Sequence, residues 1–466
     1  MQGAGAPVNN MVLVPTPGLR DFALLAGASV DVLYEEPVTE RGFAVSGGVF
    51  YELFADGTSK SYGAVAPGPY EFSSLSSKQV MLSAAGTSAG YIFDLTANTL
   101  TLITASGFKG TTRCSSIDDY LISLVPNSRE FQISALLDGT QWDGLDFGAA
   151  SGGPDNIITF KSSHRELWLA SKRRVEIYVD DGSANFPFDR LGGAYLETGC
   201  AAARTFVRID NTLFWLGQDE RGAGMVWRAS GYTPQRISNH SVEWFITEYG
   251  KHGGLTDAFA YAYQENGHTF YVLTFPSATG EPNAQGGMTL GVRQGATWVY
   301  DVATGQWHER AYWNAAKGQW QAHLGCCHAY LFGKHLVGDY QSGHIYEMSS
   351  DYNDDAGAVI RRVRRAPDIN REGRLTFYPK LELAMQVGAG NVDDPNPQGI
   401  LRYSNDGGYT WGKEIPRSLG KIGQYKKRVA WNALGSARQR AFEFSTTARV
   451  PVTLTDAFLS TTTGSA

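Results

Sequence analysis

The chain has 466 residues, only 18% of them charged, and it is rich in glycine (54) and in aromatics (11 Trp, 23 Tyr, 23 Phe). That length exceeds one ordinary core, and the composition argues against a mainly helical protein and for short strands joined by tight turns over aromatic faces. The formal net charge of −6 hides an asymmetry: residues 360–466 hold 17 Lys+Arg against 9 Asp+Glu, a balance of +8, which leaves residues 1–359 with 23 against 37, a balance of −14. No stretch nears the ~20 apolar residues of a membrane helix. The start Met1-Gln2-Gly3-Ala4-Gly5 has neither a basic nor an apolar leader region, so no membrane insertion of its own is expected. Cys114, Cys200, Cys326 and Cys327 show no even framework of spacings and read as reduced, buried thiols in a cytosol-like compartment.

In chain order, residues 1–20 are small, polar and punctuated by Pro7, Pro15 and Pro17, which predicts an arm or a lead-in strand lying on something else. Short strands follow at Val49-Phe50-Tyr51 and Tyr91-Ile92-Phe93. Three regular units come next, at Tyr120-Leu121-Ile122, Leu167-Trp168-Leu169 and Leu213-Phe214-Trp215, whose leading leucines stand 46 residues apart, twice over. Each is followed by a second apolar strand (Phe131-Gln132-Ile133, Val175-Glu176-Ile177-Tyr178, Met225-Val226-Trp227), so the repeating unit is an antiparallel hairpin. A period in the forties built of short strands predicts propeller blades, each too small to bury its faces without its neighbours. Further hairpins are expected around Thr269–Val272 with Trp298–Tyr300, and around Leu336-Val337 with Ile345-Tyr346; Asp56-Gly57 and Asn266-Gly267 supply turn chemistry. Between Arg228 and Trp298 the spacing stretches, and Ser277–Gly287 reads as an exposed, projecting loop that makes intermolecular contacts. The composition turns acidic at Asp351–Asp355 and abruptly basic at Arg361-Arg362-Val363-Arg364-Arg365, and longer alternating strands follow. The expected fold is all-β: an arm over 1–20, an irregular six- or seven-bladed β-propeller over 21–355, and an antiparallel β-sandwich over 356–466.

Four features could carry chemistry. Ser404-Asn405-Asp406-Gly407-Gly408-Tyr409-Thr410-Trp411 matches the Asp-box pattern S-x-D-x-G-x-T-W through Ser404, Asp406, Gly408, Thr410 and Trp411. As chemistry it is a turn, with the aspartate accepting backbone N–H groups, glycine at positive φ and tryptophan packed beneath. A glycan-binding or sialidase-like propeller is therefore the alternative function, although one box outside the repeats lacks the arginine cluster and Tyr/Glu pair that such an enzyme needs. Gly86-Thr87-Ser88-Ala89-Gly90 fits G-x-S-x-G, but a nucleophile elbow leads from strand into helix and this one leads into a strand. His323, Cys326, Cys327, His328, His335 and His344 crowd into 22 positions, with His323 and His328 only a loose match to the paired spacing of a zinc site, and strand alternation would split the two cysteines between opposite faces, so they read as satisfied core or interface residues. Two basic clusters, Arg361, Arg362, Arg364 and Arg365, and Lys426, Lys427 and Arg428 with Lys421, form a candidate interaction surface. No catalytic residue, cofactor or metal is expected.

The order of Val14-Pro15-Thr16-Pro17-Gly18-Leu19, Val45-Ser46-Gly47-Gly48-Val49-Phe50-Tyr51, Gly90-Tyr91-Ile92-Phe93-Asp94-Leu95, Phe147-Gly148-Ala149-Ala150, Ile157-Ile158-Thr159-Phe160 and Arg402-Tyr403-Ser404-Asn405-Asp406-Gly407 resembles the packaged-DNA stabilisation proteins, or tail hub (nozzle) proteins, of short-tailed bacteriophages. The resemblance implies a non-enzymatic part of the virion tail, assembled in the host cytoplasm. It would form a ring of six copies below the head-to-tail adaptor and portal complex, beside tail fibre, tailspike or needle proteins, with double-stranded DNA passing transiently through the lumen. If the acidic part lined that bore, six copies would place about −84 of formal charge around a duplex carrying one charge per ~1.7 Å, which disfavours sticking.

Overall fold

The computed structural model describes residues 12–183, 186–218, 223–282 and 288–464. Seven four-stranded antiparallel units make up the first part of the chain. Blades 1 to 5 each take four consecutive strands, beginning at Val30–Glu35, Tyr70–Leu75, Cys114–Ile117, Ile157–Ser163 and Val207–Ile209. Blade 6 comprises Phe259–Glu265, His268–Phe275, Ala296–Asp301 and Gln306–Arg310. Blade 7 comprises Gly325–Leu331, Lys334–Asp339 and His344–Ser349, and takes its fourth strand, Gly18–Leu24, from the other end of the sequence. The first strand of every blade touches the first strand of the next, and that of blade 7 touches that of blade 1, so the ring is closed. Among the described residues the blade count is seven.

The repeating leucines fall on equivalent places. Leu121, Leu167 and Leu213 lie in the second strands of blades 3, 4 and 5, and each is at most 1% exposed. Neighbouring blades share cores: Ile122 and Phe131 of blade 3 pack with Phe160 and Leu167 of blade 4, and Trp168 and Ile177 of blade 4 with Leu213 and Trp215 of blade 5. Full burial of each such side chain contributes about 1.5–3 kcal/mol, so a blade is stabilised mainly by the two beside it.

The N-terminal arm is a closing strand. Gly18–Leu24 pairs antiparallel with His344–Ser349, from Gly18 opposite Ser349 to Leu24 opposite His344. Just before it, Leu13 exchanges two 2.9 Å backbone hydrogen bonds with Leu454 of the C-terminal part, and the Pro17 carbonyl accepts from Arg310 at 2.9 Å. The expected boundary after residue 20 thus falls inside a strand. That after 355 falls inside a ribbon, Asp354–Asp355 with Ala358–Val359, that extends the same sheet. Met1–Met11 lie outside the described residues.

Blades 5 and 6 are separated by a helix, His240–His252, which the strand pattern did not anticipate. Asn239 caps it by accepting from the Val242 amide, Glu243 sits in its first turn, and Lys251 and His252 sit in its last. It buries Val242, Ile246 and Tyr249 against the core shared with blade 6. The expected exposed loop Ser277–Gly287 is only partly a loop. Ala278 is 2% exposed and belongs to that core, while Gly280–Pro282 pairs with Met288–Leu290 as a ribbon; residues 283–287 lie outside the described residues. Among the described residues no helix is long and apolar enough to cross a membrane.

The C-terminal part is a sandwich. In one sheet Gln439–Thr446 lies between Arg362–Arg365 and Gln398–Ser404, with Ile415–Ser418 at the edge. In the other, Thr376–Met385 pairs with Leu454–Thr463 on one side and with Val429–Asn432 and Ser436–Ala437 on the other. Tyr378, Leu401, Trp431, Phe442 and Phe444 fill the space between them.

Asp355, beside the closing strand, is 4% exposed, and its Oδ1 has no hydrogen-bond partner. Burial pushes its carboxyl up to about 7, against the pull of Arg310 and Arg362. The native pKa therefore lies above the unfolded one: folding retains a proton on Asp355, this contribution is complete below about pH 4, and it is lost as pH rises to about 7. Asp355→Asn is expected to gain on the wild type in urea unfolding between pH 4 and pH 8, by up to roughly 4 kcal/mol. Parallel pH profiles for the two proteins would contradict this assignment.

Candidate functional site

Around the propeller axis, side chains of the first strands of blades 1 to 4 reach from blade to blade. The Tyr34 hydroxyl of blade 1 meets Ser74 of blade 2 at 2.5 Å, Ser73 meets Ser116 of blade 3 at 3.0 Å, and Ser115 meets Ser162 of blade 4 at 2.6 Å. Glu71 of blade 2 forms an ion pair with Lys161 of blade 4, spanning the intervening blade, and stands 4.0 Å from the buried guanidinium of Arg113. Burial lowers the Arg113 pKa, Glu71 counteracts that, and Arg204 reinforces it. Sequence reasoning missed this cluster because its members are scattered singly along the chain.

The members of the histidine and cysteine cluster are buried or half-buried. All four cysteines are free, and among the described residues no three His, Cys, Asp or Glu side chains are placed to hold a metal ion. Cys326 and Cys327 do not alternate as expected, because the register slips between Gly325 and Cys327. Both thiols instead address the Val30 carbonyl, at 3.0 and 3.8 Å, and lie 3.9 Å from each other. His328 and His335 share a 3.0 Å hydrogen bond. His323 is less well served: it is 2% exposed, its Nε2 has no partner, and burial holds its pKa far down. Gly86–Gly90 spans the turn between the strands Gln79–Ala84 and Ala89–Asp94.

The Asp-box residues and the first basic cluster meet. Asp406 accepts from Ser404 Oγ at 2.6 Å and from the Thr410 amide and hydroxyl at 2.9 and 2.5 Å, and these bonds hold its carboxyl down at about 2. Gly407 and Gly408 take φ of 75° and 94°. The Trp411 ring is held by Arg365 and Arg402, each 4.8 Å from its centroid. Both arginines also bind Glu443, which is 1% exposed, at 2.8 and 2.6 Å, and Arg361 stands 3.8 Å from it. Burial alone would raise the Glu443 pKa, but the bonds from Arg402 and Arg365 outweigh it and hold the group ionised.

Several members of the expected interaction surface also pair within the chain, although Arg365 and Arg428 stay exposed. Arg362 donates to the Ala448 carbonyl at 2.9 Å and to Asn353 at 3.3 Å, and Arg428 binds Glu382 at 2.6 and 2.9 Å. Arg364, Lys426 and Lys427 stay exposed, and the side chains of the two lysines make no hydrogen bond or ion pair among the described residues. Glu443→Ala would strand two or three arginines around a buried hole, and is expected to destabilise the sandwich by about 3–5 kcal/mol. In urea unfolding of the full chain the sandwich transition should move and the propeller transition stay; a shift below 1 kcal/mol would reduce the cluster to a solvated surface feature.

A family model described as bacteriophage P22 Gp10, beta-propeller, matches residues 4–353, and a second, described as bacteriophage P22 Gp10, beta-sandwich, matches residues 361–462. No curated protein matches the chain. Among solved structures, virginiamycin B lyase from Staphylococcus aureus is similar at 9% identity and a TM-score of 0.45, over 72% of this chain and 99% of that one. The N-terminal domain of Nup159 is similar at 9% identity and a TM-score of 0.42, over 74% of this chain and 97% of that one.

Proposed function

This chain belongs to the bacteriophage P22 Gp10 family, and from that membership we propose that it is a structural subunit of the virion tail, a hub or nozzle ring below the portal and adaptor complex. The ring has six copies, is built in the host cytoplasm, closes the filled head and lets the genome out. The observation that carries this reading is that both parts of the family match in order, over residues 4–353 and 361–462.

The geometry supports a refinement. The first strands of neighbouring blades touch all round the ring, with Glu71, Lys161 and Arg113 near them, and on this reading the duplex travels through a lumen bounded by several copies, each propeller acting as a block in the wall. A balance of −14 over residues 1–359 suits such a wall, since like charge keeps the phosphate backbone from binding tightly. The chemistry asked of the protein is shape and charge, with no bond made or broken. Its neighbours would be the adaptor above and tailspike, fibre or needle proteins around and below. Lys426 and Lys427 would meet acidic partners together with exposed Arg364, which also donates to the Val363 carbonyl, and the ribbon flanking residues 283–287 is a second contact point.

The test is assembly. Purified chain mixed with portal–adaptor complexes should add a six-fold ring in electron micrographs, and DNA-filled particles should show the duplex running between copies. Failure to bind the complex would end the hub reading; duplex density on a propeller axis would end the refinement alone.

A further inference from the structure

Blades 3, 4 and 5 repeat so closely that their residues can be compared place by place, and blade 5 breaks the pattern at two places. In the first strands, Ser116, Ser162 and Arg208 stand opposite Leu121, Leu167 and Leu213. Both serines hydrogen-bond the preceding blade. Arg208 is exposed, and its side chain makes no hydrogen bond or ion pair among the described residues.

The turns that follow are two-residue turns with both residues at positive φ: Asp118-Asp119, His164-Arg165 and Asp210-Asn211. In the first two, the first residue clasps the second residue of the next blade's turn, Asp118 to Arg165 at 2.9 Å and His164 to Asn211 at 2.7 Å. The next clasp would join Asp210 to the corresponding residue of blade 6. That residue is Gly267, which has no side chain to offer, and the Asp210 carboxylate has no partner among the described residues.

An open depression of about 650 Å³ lies where the clasp is missing, lined by Arg208, Asp210, Tyr263, Gln264, His328 and His335. That size lies within the ordinary range for small-ligand sites. The rings of Tyr263, His328 and His335 pack together, with Tyr263 only 4% exposed, so the aromatic surface this wall offers is that of half-buried His335 and of Tyr330 beside it. Tyr330, half exposed, extends it.

We propose that this depression binds a neutral saccharide unit. Vicinal hydroxyls donate to the Asp210 carboxylate and accept from the Arg208 guanidinium, the Gln264 amide reads a further hydroxyl, and the C–H face of the sugar ring lies on the aromatic wall. The carboxylate argues against phosphate and the nucleic-acid backbone, since it would repel the group that Arg208 attracts. The site lies among the first strands of blades 5, 6 and 7, which surround the propeller axis, and does not depend on the hub reading.

Saturation-transfer NMR on the full chain with the methyl glycosides of glucose, galactose, mannose and N-acetylglucosamine tests it. At least one glycoside should bind, with transfer strongest to one C–H face, and inorganic phosphate should not displace it. Asp210→Asn and Arg208→Ala, at exposed positions, should each weaken binding at least tenfold with an unchanged melting temperature. Gly267→Arg, which supplies the missing partner at a φ like the one Arg165 already adopts, should close the depression and abolish binding. No binding by any of the four, displacement by phosphate, or equal binding by Asp210→Asn and Arg208→Ala would overturn the proposal.

Discussion

The seam between Gly18–Leu24 and His344–Ser349 holds the ring shut, and the other blades depend on it. No blade buries both faces by itself: Phe131 needs Phe160 and Tyr178 beside it, and Leu33 needs Leu331 and Leu336 of blade 7. An open row of such sheets would expose one apolar face at each end. Closing the row with a strand from the opposite end of the sequence removes both exposed faces, and it makes the first and last blades one cooperative unit.

What was legible in the sequence was what repeats. The 46-residue leucine spacing marked three blades, and in the structure those leucines occupy one equivalent position. What was hidden depends on partners distant in sequence. Gly18–Leu24 has an irregular burial pattern with a register slip after Asp21, so nothing local identifies it as the fourth strand of blade 7. The slip at Gly325 turned Cys326 and Cys327 toward one carbonyl, which strict alternation forbids. The helix at His240–His252 carries a good cap and favourable end charges, but it sits where a strand-based reading looked only for loops.

The Asp box and the arginine run illustrate the same limit for the candidate site. Read as motifs they suggested a turn and a surface patch. In the structure one buried carboxylate, Glu443, gathers Arg361, Arg365 and Arg402, and two of these arginines hold Trp411 of the box. A run of like charge in a sequence reads as solvated until its counter-charge is located, and here that residue lies 78 positions beyond Arg365.

Leu13 is bonded to Leu454, and residues 18–24 to residues 344–349, so the beginning of the chain can settle only after nearly all of it exists. At a bacterial elongation rate of about 5–20 residues per second, the ribosome works for tens of seconds between making the closing strand and making its partner. For that interval the earliest segment is held in waiting, and an incomplete polypeptide cannot acquire the finished circular form.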